Sequence, residues 1–218
     1  TPFVLFCALP SNNSSLYVAL CGEYGDSSDA GAVSVLAIKN GPFGSMLVMG
    51  LSGQAAIPFT DILAVLIPIL IGVLWGNLDR NFKDLCSKSQ ALVVIFMSFS
   101  IGASSSLKTI LDAGISGILL GIVSLALGII IQVVYNLFLK KKSPLGVAMG
   151  TVAANSALTP AVIAAADSSL SPFVALASAQ CATASIVTMI VAPFLVAYYD
   201  KNIKKKYHYD RMDLQLDR

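Results

Sequence analysis

Long apolar stretches alternate with short polar ones along almost the whole chain. A helix needs ~20 apolar residues to cross the hydrocarbon core of a bilayer, and the uncharged stretches are close to or above that length. They cover residues 1–22, 62–78, 89–107, 113–139, 143–166 and 168–199. Together with the helix breakers, they predict an all-α polytopic membrane protein. Its predicted spans cover residues 1–20, 30–53, 59–78, 89–107, 112–139, 143–166 and 172–199.

The composition agrees with this class and disfavours others. The chain is 56% hydrophobic and only 12% charged, whereas a soluble domain carries roughly 25% charged residues. The four cysteines have no spacing typical of a metal site, and the single histidine, His208, lies in a polar tail. No glycine-rich nucleotide-binding loop is present in the sequence. We therefore predict no enzyme, no catalytic residue, no metal, no cofactor and no nucleic-acid partner.

The basic residues predict the orientation of the spans. Apart from Lys39 and Lys108, every Lys and Arg falls in residues 79–88, 140–142 or 200–218. Loops rich in Lys and Arg stay in the cytoplasm, so these segments and the C-terminus are expected inside. The first span then enters the bilayer from outside, and the sixth span enters it from inside.

Similar polar stretches interrupt the first and sixth spans. Residues 10–19 read PSNNSSLYVA and residues 153–162 read AANSALTPAV. An interrupted membrane helix is tolerated only where the break is buried in protein or lines a watery cavity, and matching breaks in two halves point to a transporter's binding site. The alternative is a pair of Pro-kinked helices whose polar side chains cap their own backbone. The candidate solute-binding residues of the two breaks are Asn12, Asn13, Ser14, Ser15, Asn155, Ser156 and Thr159.

Two further candidates lie within predicted spans. A charge there costs about 2.5–3.5 kcal/mol on insertion scales, so Lys39 is expected to face a cavity or a partner. It could bind a carboxylate of the solute, occupy a coupling-ion site as a fixed cation, or snorkel to the cytoplasmic surface. Gln180 could line the site, or it could form a hydrogen bond between helices.

The sequence also predicts the surroundings of three acidic residues and the packing of two glycines. Glu23, Asp26 and Asp29 are expected in a solvated cytoplasmic loop rather than as proton-coupling groups. The small-xxx-small pair of Gly117 and Gly121 predicts close packing of the fifth span against another helix.

Several segments together resemble the 2-keto-3-deoxygluconate permeases. The first is Ser11-Asn12-Asn13-Ser14-Ser15-Leu16-Tyr17, similar to the family's S/T-N-G-G-L-Y, and it adds Tyr17 to the candidate site residues. The other similar segments lie at 23–25, 29–32, 41–43, 74–79 and 182–188, with Pro193. Two departures stand out: Asn13 and Ser14 replace two glycines, and Lys39 stands where members often carry Glu. The second exchange would alter proton coupling or the substrate.

The resemblance implies an architecture. It implies an inverted-repeat secondary transporter fold of ten spans with two broken crossing helices, in which this chain holds the last seven spans. Residues 1–53 and 108–199 would form core-domain helices of the first and second repeats, 54–107 the panel helices, and 200–218 a cytoplasmic tail. The chain begins at Thr1 inside an apolar run. The first three spans of the same protein would then be absent from this chain, and they would be its partners in the complete transporter.

The resemblance also implies a function. It implies a multi-pass plasma-membrane transporter that imports a sugar-acid anion such as 2-keto-3-deoxygluconate, coupled to a proton or alternatively to sodium. Besides this small anion and the lipid bilayer, a second copy in a homodimer is an expected partner. A channel-like or sensory protein of the same fold, without coupled transport, is the alternative, since the fixed charge of Lys39 could replace a moving cation.

Overall fold

A computed structural model describes most of the chain as α-helices. It describes all residues except 1, 27–28, 30, 33–35, 37–41, 54, 56, 87, 90–91, 93–95, 97–98, 100–106, 139–142 and 208–218, and except the side chains of 42, 65, 107–112 and 204–207. The longer helices are α1 (Pro2–Ala8), α2 (Ser14–Tyr24), α3 (Pro42–Leu51), α4 (Phe59–Leu78), α5 (Leu107–Phe138), α6 (Thr159–Ala166) and α7 (Val174–Tyr207). Three 3₁₀ helices cover Val147–Gly150, Ala154–Ala157 and Ser168–Phe173.

Three helices of the described part are long and apolar enough to cross a membrane. They are Phe59–Leu78, Ala113–Phe138 and Ser168–Ile203, and the bent pair Val147–Ala157 with Thr159–Ala166 would make a fourth. A helical membrane protein is thereby confirmed. The third predicted span has the bounds of α4, whereas α7 continues past the predicted end at residue 199 into the Lys-rich segment.

One predicted span falls partly, and another largely, outside the described residues. Of the second, the structure describes α3 and a few isolated helical positions, and of the fourth only scattered positions. Lys39 also lies outside the described residues, so the hypotheses about it stay predictions.

Both segments with polar breaks are interrupted helices. In the first, α1 ends at Ala8 and α2 begins at Ser14, with an extended stretch at residues 11–13. In the second, the extended stretch covers residues 151–153, and Val147–Ala157 is bent by 64° against Thr159–Ala166. The part before this second break is only the 3₁₀ turn Val147–Gly150 and not the half-helix that we predicted. Pro144 and the two glycines that bracket the turn explain the difference, since both residue types disfavour an α-helix.

The two interrupted segments run in opposite directions. The helix before the first break, α1, contacts α6, which follows the second break. Conversely, α2 contacts Val147–Gly150, which precedes the second break. Two apolar clusters result: Phe3, Cys7, Met46, Ile163 and Cys181 pack together, and Tyr17, Leu20, Leu145, Val147 and Val196 form the other. Each break therefore connects one cluster to the other.

The fifth span packs closely through its glycines, as predicted. The most extensive contact between elements joins α5 and α7. A Cβ placed on Gly117 would lie 2.5 Å from the Cβ of Thr183, and one on Gly121 would lie 3.1 Å from Val187. The backbones therefore approach to a distance that only glycine allows.

Candidate functional site

The two breaks meet and satisfy part of each other's backbone. The Ala153 N–H donates to the Ser11 carbonyl oxygen at 3.0 Å, and the Asn13 N–H donates to Thr151 Oγ1 at 3.0 Å. The Val152 N–H donates to Thr188 Oγ1 of α7, also at 3.0 Å. Extended backbone in a membrane protein must find partners inside the protein, and these three bonds supply them.

Several buried polar atoms of the two breaks and of α3 have no partner among the described residues. They are Asn12 Nδ2 and Oδ1, Asn155 Oδ1, Ser156 Oγ, Thr159 Oγ1 and Ser45 Oγ. Asn12, Ser45, Ser156 and Thr159 are themselves completely buried. Buried polar side chains are hydrogen-bonded in most structures, because an unpaired one costs about 1–3 kcal/mol. Four of these five residues were predicted from the breaks, and Ser45 was not.

These residues lie on elements that touch each other. Asn12 lies four residues after the end of α1. Helix α1 contacts Ala154–Ala157, which holds Asn155 and Ser156, and also α6, which begins at Thr159. The arrangement is uncharged, and it offers amide and hydroxyl groups that both donate and accept. Such a group of atoms suits a polar solute with several oxygen atoms.

The other predicted residues have local partners or lie at the surface. Asn13 is the N-cap of α2, and its Oδ1 accepts from the Leu16 N–H at 3.0 Å. Ser14 is half-buried and Ser15 is exposed. The Tyr17 hydroxyl donates to the carbonyl oxygen of Asp29 at 3.3 Å. Gln180 Nε2 donates to Ser116 Oγ of α5 at 2.8 Å, a hydrogen bond between helices.

Helix α5 holds the chain that leads into the second break. Ser124 Oγ donates to the Gly150 carbonyl oxygen at 2.7 Å. Gln132 Nε2 donates to the Ser143 carbonyl oxygen at 2.8 Å, and Gln132 Oε1 accepts from the Val147 N–H at 3.2 Å. Polar side chains of α5 thus replace the backbone pairs that an uninterrupted helix would make.

Asp29 is buried, which corrects its prediction as part of a solvated loop. Only 3% of its surface is exposed. Tyr135 Oη donates to Asp29 Oδ1 at 3.2 Å, and the Asp26 N–H donates to Asp29 Oδ2 at 3.0 Å. The partner on α5 lies too far along the chain for a sequence pattern to reveal it. Glu23 is exposed, as predicted.

We expect Tyr135→Phe to lower the free energy of unfolding by about 1–3 kcal/mol, because it leaves a buried carboxylate oxygen without this donor. Thermal unfolding of the purified protein in detergent measures the change. Tyr198→Phe is the matched control, since Tyr198 is 62% exposed and its variant should unfold like the wild type. Equal unfolding temperatures for all three proteins would show that the bond to Asp29 contributes nothing.

Comparison with known proteins identifies the family. The sequence profile described as 2-keto-3-deoxygluconate permease matches residues 1–205. The chain belongs to the 2-keto-3-deoxygluconate permease family. This membership confirms the resemblance found in the sequence, and it agrees with the long apolar helices of the described residues.

Individual relatives agree with the family match. "2-keto-3-deoxygluconate permease 1" of Salmonella typhimurium is 35% identical over 197 residues, which are 90% of this chain. The permeases of Bacillus subtilis and Xanthomonas euvesicatoria are 32% and 34% identical, over 93% and 89% of the chain. The chain spans 62% of the length of each of these relatives. No solved structure matches the chain.

Two residues at the breaks were missed by the sequence reasoning. Thr151 accepts from Asn13, and Thr188 accepts from Val152. Thr188 belongs to one of the segments that carry the family resemblance, which is the signal that could have singled it out. Thr151 directly follows a glycine inside an apolar run, and nothing in the local pattern distinguishes it.

Proposed function

We propose that the protein imports a sugar-acid anion such as 2-keto-3-deoxygluconate into the cell, coupled to a cation. A proton is the proposed coupling ion, and sodium is the alternative. The family membership and the names of its relatives support the substrate class. The observation that carries the proposal is the group of buried amide and hydroxyl atoms, at the contact between two interrupted helices, that lack partners among the described residues.

The chemistry of this contact fits a sugar acid. The hydroxyl and keto oxygens of such a solute can pair with neutral donors and acceptors like Asn12, Asn155, Ser156 and Thr159. Its carboxylate would be favoured at the N-terminus of α2, which begins at the contact. Because Asn13 Oδ1 already caps this helix, Nδ2 is the side-chain atom of Asn13 that we assign to the solute. Lys39 stays a proposed partner of the carboxylate.

The architecture that we propose is the inverted repeat. In this arrangement the two interrupted segments belong to related halves of a ten-span transporter in the plasma membrane. Their opposite directions and matching polar breaks support it. The Lys-rich segments support a cytoplasmic C-terminus.

Uptake by the full-length protein in proteoliposomes tests this function. We expect labelled 2-keto-3-deoxygluconate to accumulate above its outside concentration when an inward proton gradient is applied, and a protonophore to abolish this excess. A sodium gradient applied at equal pH tests the alternative ion. Uptake that stops at equal concentrations under both gradients would contradict coupling and favour a channel, and an absence of uptake would contradict the substrate.

A further inference from the structure

Among the described residues, Ser45 of α3 has a buried side-chain oxygen without a hydrogen-bond partner, and it lies outside the two breaks. Its side chain is completely buried. Serines in helices usually donate to a backbone carbonyl within their own helix, as Ser116 does to Ala113 at 2.9 Å in α5. Ser45 Oγ makes no such bond, so its hydroxyl is left for a partner other than its own helix.

The position of α3 shows where this hydroxyl lies. α3 contacts α1, which leads into the first break, and α6, which follows the second. Met49 lies one helical turn after Ser45 on the same face, and it packs in the cluster that holds Phe3 of α1 and Ile163 of α6. Leu47 and Val48 of α3 are exposed. The buried face of α3, with Ser45 on it, therefore packs in a cluster to which both interrupted segments contribute, and α3 also contacts α4.

We propose that Ser45 is a further solute-binding residue, whose hydroxyl makes a hydrogen bond with an oxygen atom of the sugar acid held at the breaks. This assignment rests on the proposed function. It extends the site from the two interrupted segments to a third helix, α3. A hydroxyl both donates and accepts, so it can pair with a hydroxyl, keto or carboxylate oxygen of the solute.

The test is the variant Ser45→Ala in the full-length protein. A solute-binding role predicts that the KM for 2-keto-3-deoxygluconate rises about tenfold, the worth of one hydrogen bond, while Vmax changes less. It also predicts that the variant, without solute, unfolds at the same or a higher temperature, because an unpaired buried hydroxyl has been removed. The upward shift of the unfolding temperature that the solute causes should shrink.

Two further variants complete the experiment. Ser52→Ala is the control, because Ser52 is exposed and its Oγ donates to the Met49 carbonyl oxygen at 3.2 Å; it should keep the wild-type KM. Ser45→Cys keeps a weak donor of similar size, so its KM should fall between those of the wild type and Ser45→Ala. If Ser45→Ala is poorly expressed, the KM of Ser45→Cys still tests the proposal.

The outcomes separate this inference from the function on which it rests. If Ser45→Ala and Ser45→Cys bind the solute like the wild type, the inference is overturned, and a buried water is then the partner of the hydroxyl. It is also overturned if Ser45→Ala unfolds at a lower temperature with unchanged KM, since Ser45 is then structural. If the wild-type protein itself does not bind 2-keto-3-deoxygluconate, the proposed function has failed, and the inference about Ser45 falls with it.

Discussion

Replacing Asn12 with Ala should raise the KM for uptake of 2-keto-3-deoxygluconate roughly 10- to 100-fold without lowering the stability of the protein. Both polar atoms of its side chain are buried and have no partner among the described residues. In the solute-free protein, alanine removes the cost of these unpaired atoms. With the solute bound, two hydrogen bonds are lost, each worth about 0.5–1.5 kcal/mol. Uptake kinetics in proteoliposomes and thermal unfolding in detergent measure the two effects.

The neighbouring residue, Asn13, should differ from Asn12 in its effect on stability. Because Asn13 Oδ1 caps α2, Asn13→Ala should lower the free energy of unfolding by about 1 kcal/mol. Asn77→Ala should change neither quantity, since Asn77 lies exposed on α4 and donates to its own helix at Val73. An Asn12→Ala variant with lower stability and unchanged KM would mean that Asn12 supports the structure and does not bind the solute.

The second large effect is expected at Gly128, where α5 touches the chain that leads into the second break. A Cβ placed there would lie 2.5 Å from the Val147 carbonyl oxygen and 2.8 Å from Gly150 Cα. These are backbone atoms, which cannot rotate away as a side chain would. We expect Gly128→Ala to destabilise the protein by about 3 kcal/mol, in the upper part of the range for overpacking. The yield of monodisperse protein and its unfolding temperature measure this loss.

Gly114 is the matched control on the same helix. No atom outside the neighbouring backbone lies within 4 Å of a Cβ placed on it, so Gly114→Ala should be as stable as the wild type. If the two alanine variants unfold at the same temperature, the close contact between α5 and Val147–Gly150 is not part of the native structure.

Features with a local cause could be predicted from the sequence. The bounds of α4 follow from an apolar stretch, uncharged at residues 62–78, between Pro58 and Asp79. Both breaks follow from Pro, Asn and Ser inside apolar runs. Four of the five residues with unpartnered buried atoms lie in these breaks. The sequence could single them out because a break in a membrane helix must be buried in protein or line a watery cavity, and matching breaks in two halves point to a binding site.

Features that depend on distant partners could not be predicted. Asp29 belongs to a polar stretch, and one donor to its buried carboxylate, the hydroxyl of Tyr135, lies on the distant helix α5. Ser45 is a single serine in an apolar helix, where a bond to its own backbone is the usual outcome. The close approach of Gly150 to Gly128 joins the second break to α5, and no periodicity in the sequence records it.

The central claim is that the contact between the two breaks binds the solute. A structure of the full-length protein with 2-keto-3-deoxygluconate bound tests it most directly. We predict that the sugar acid lies within hydrogen-bond distance of Asn12 and Asn155, beside the contact at which residues 11–13 and 151–153 are bonded to each other. A solute bound elsewhere, with Asn12 and Asn155 paired to other protein groups, would contradict this account.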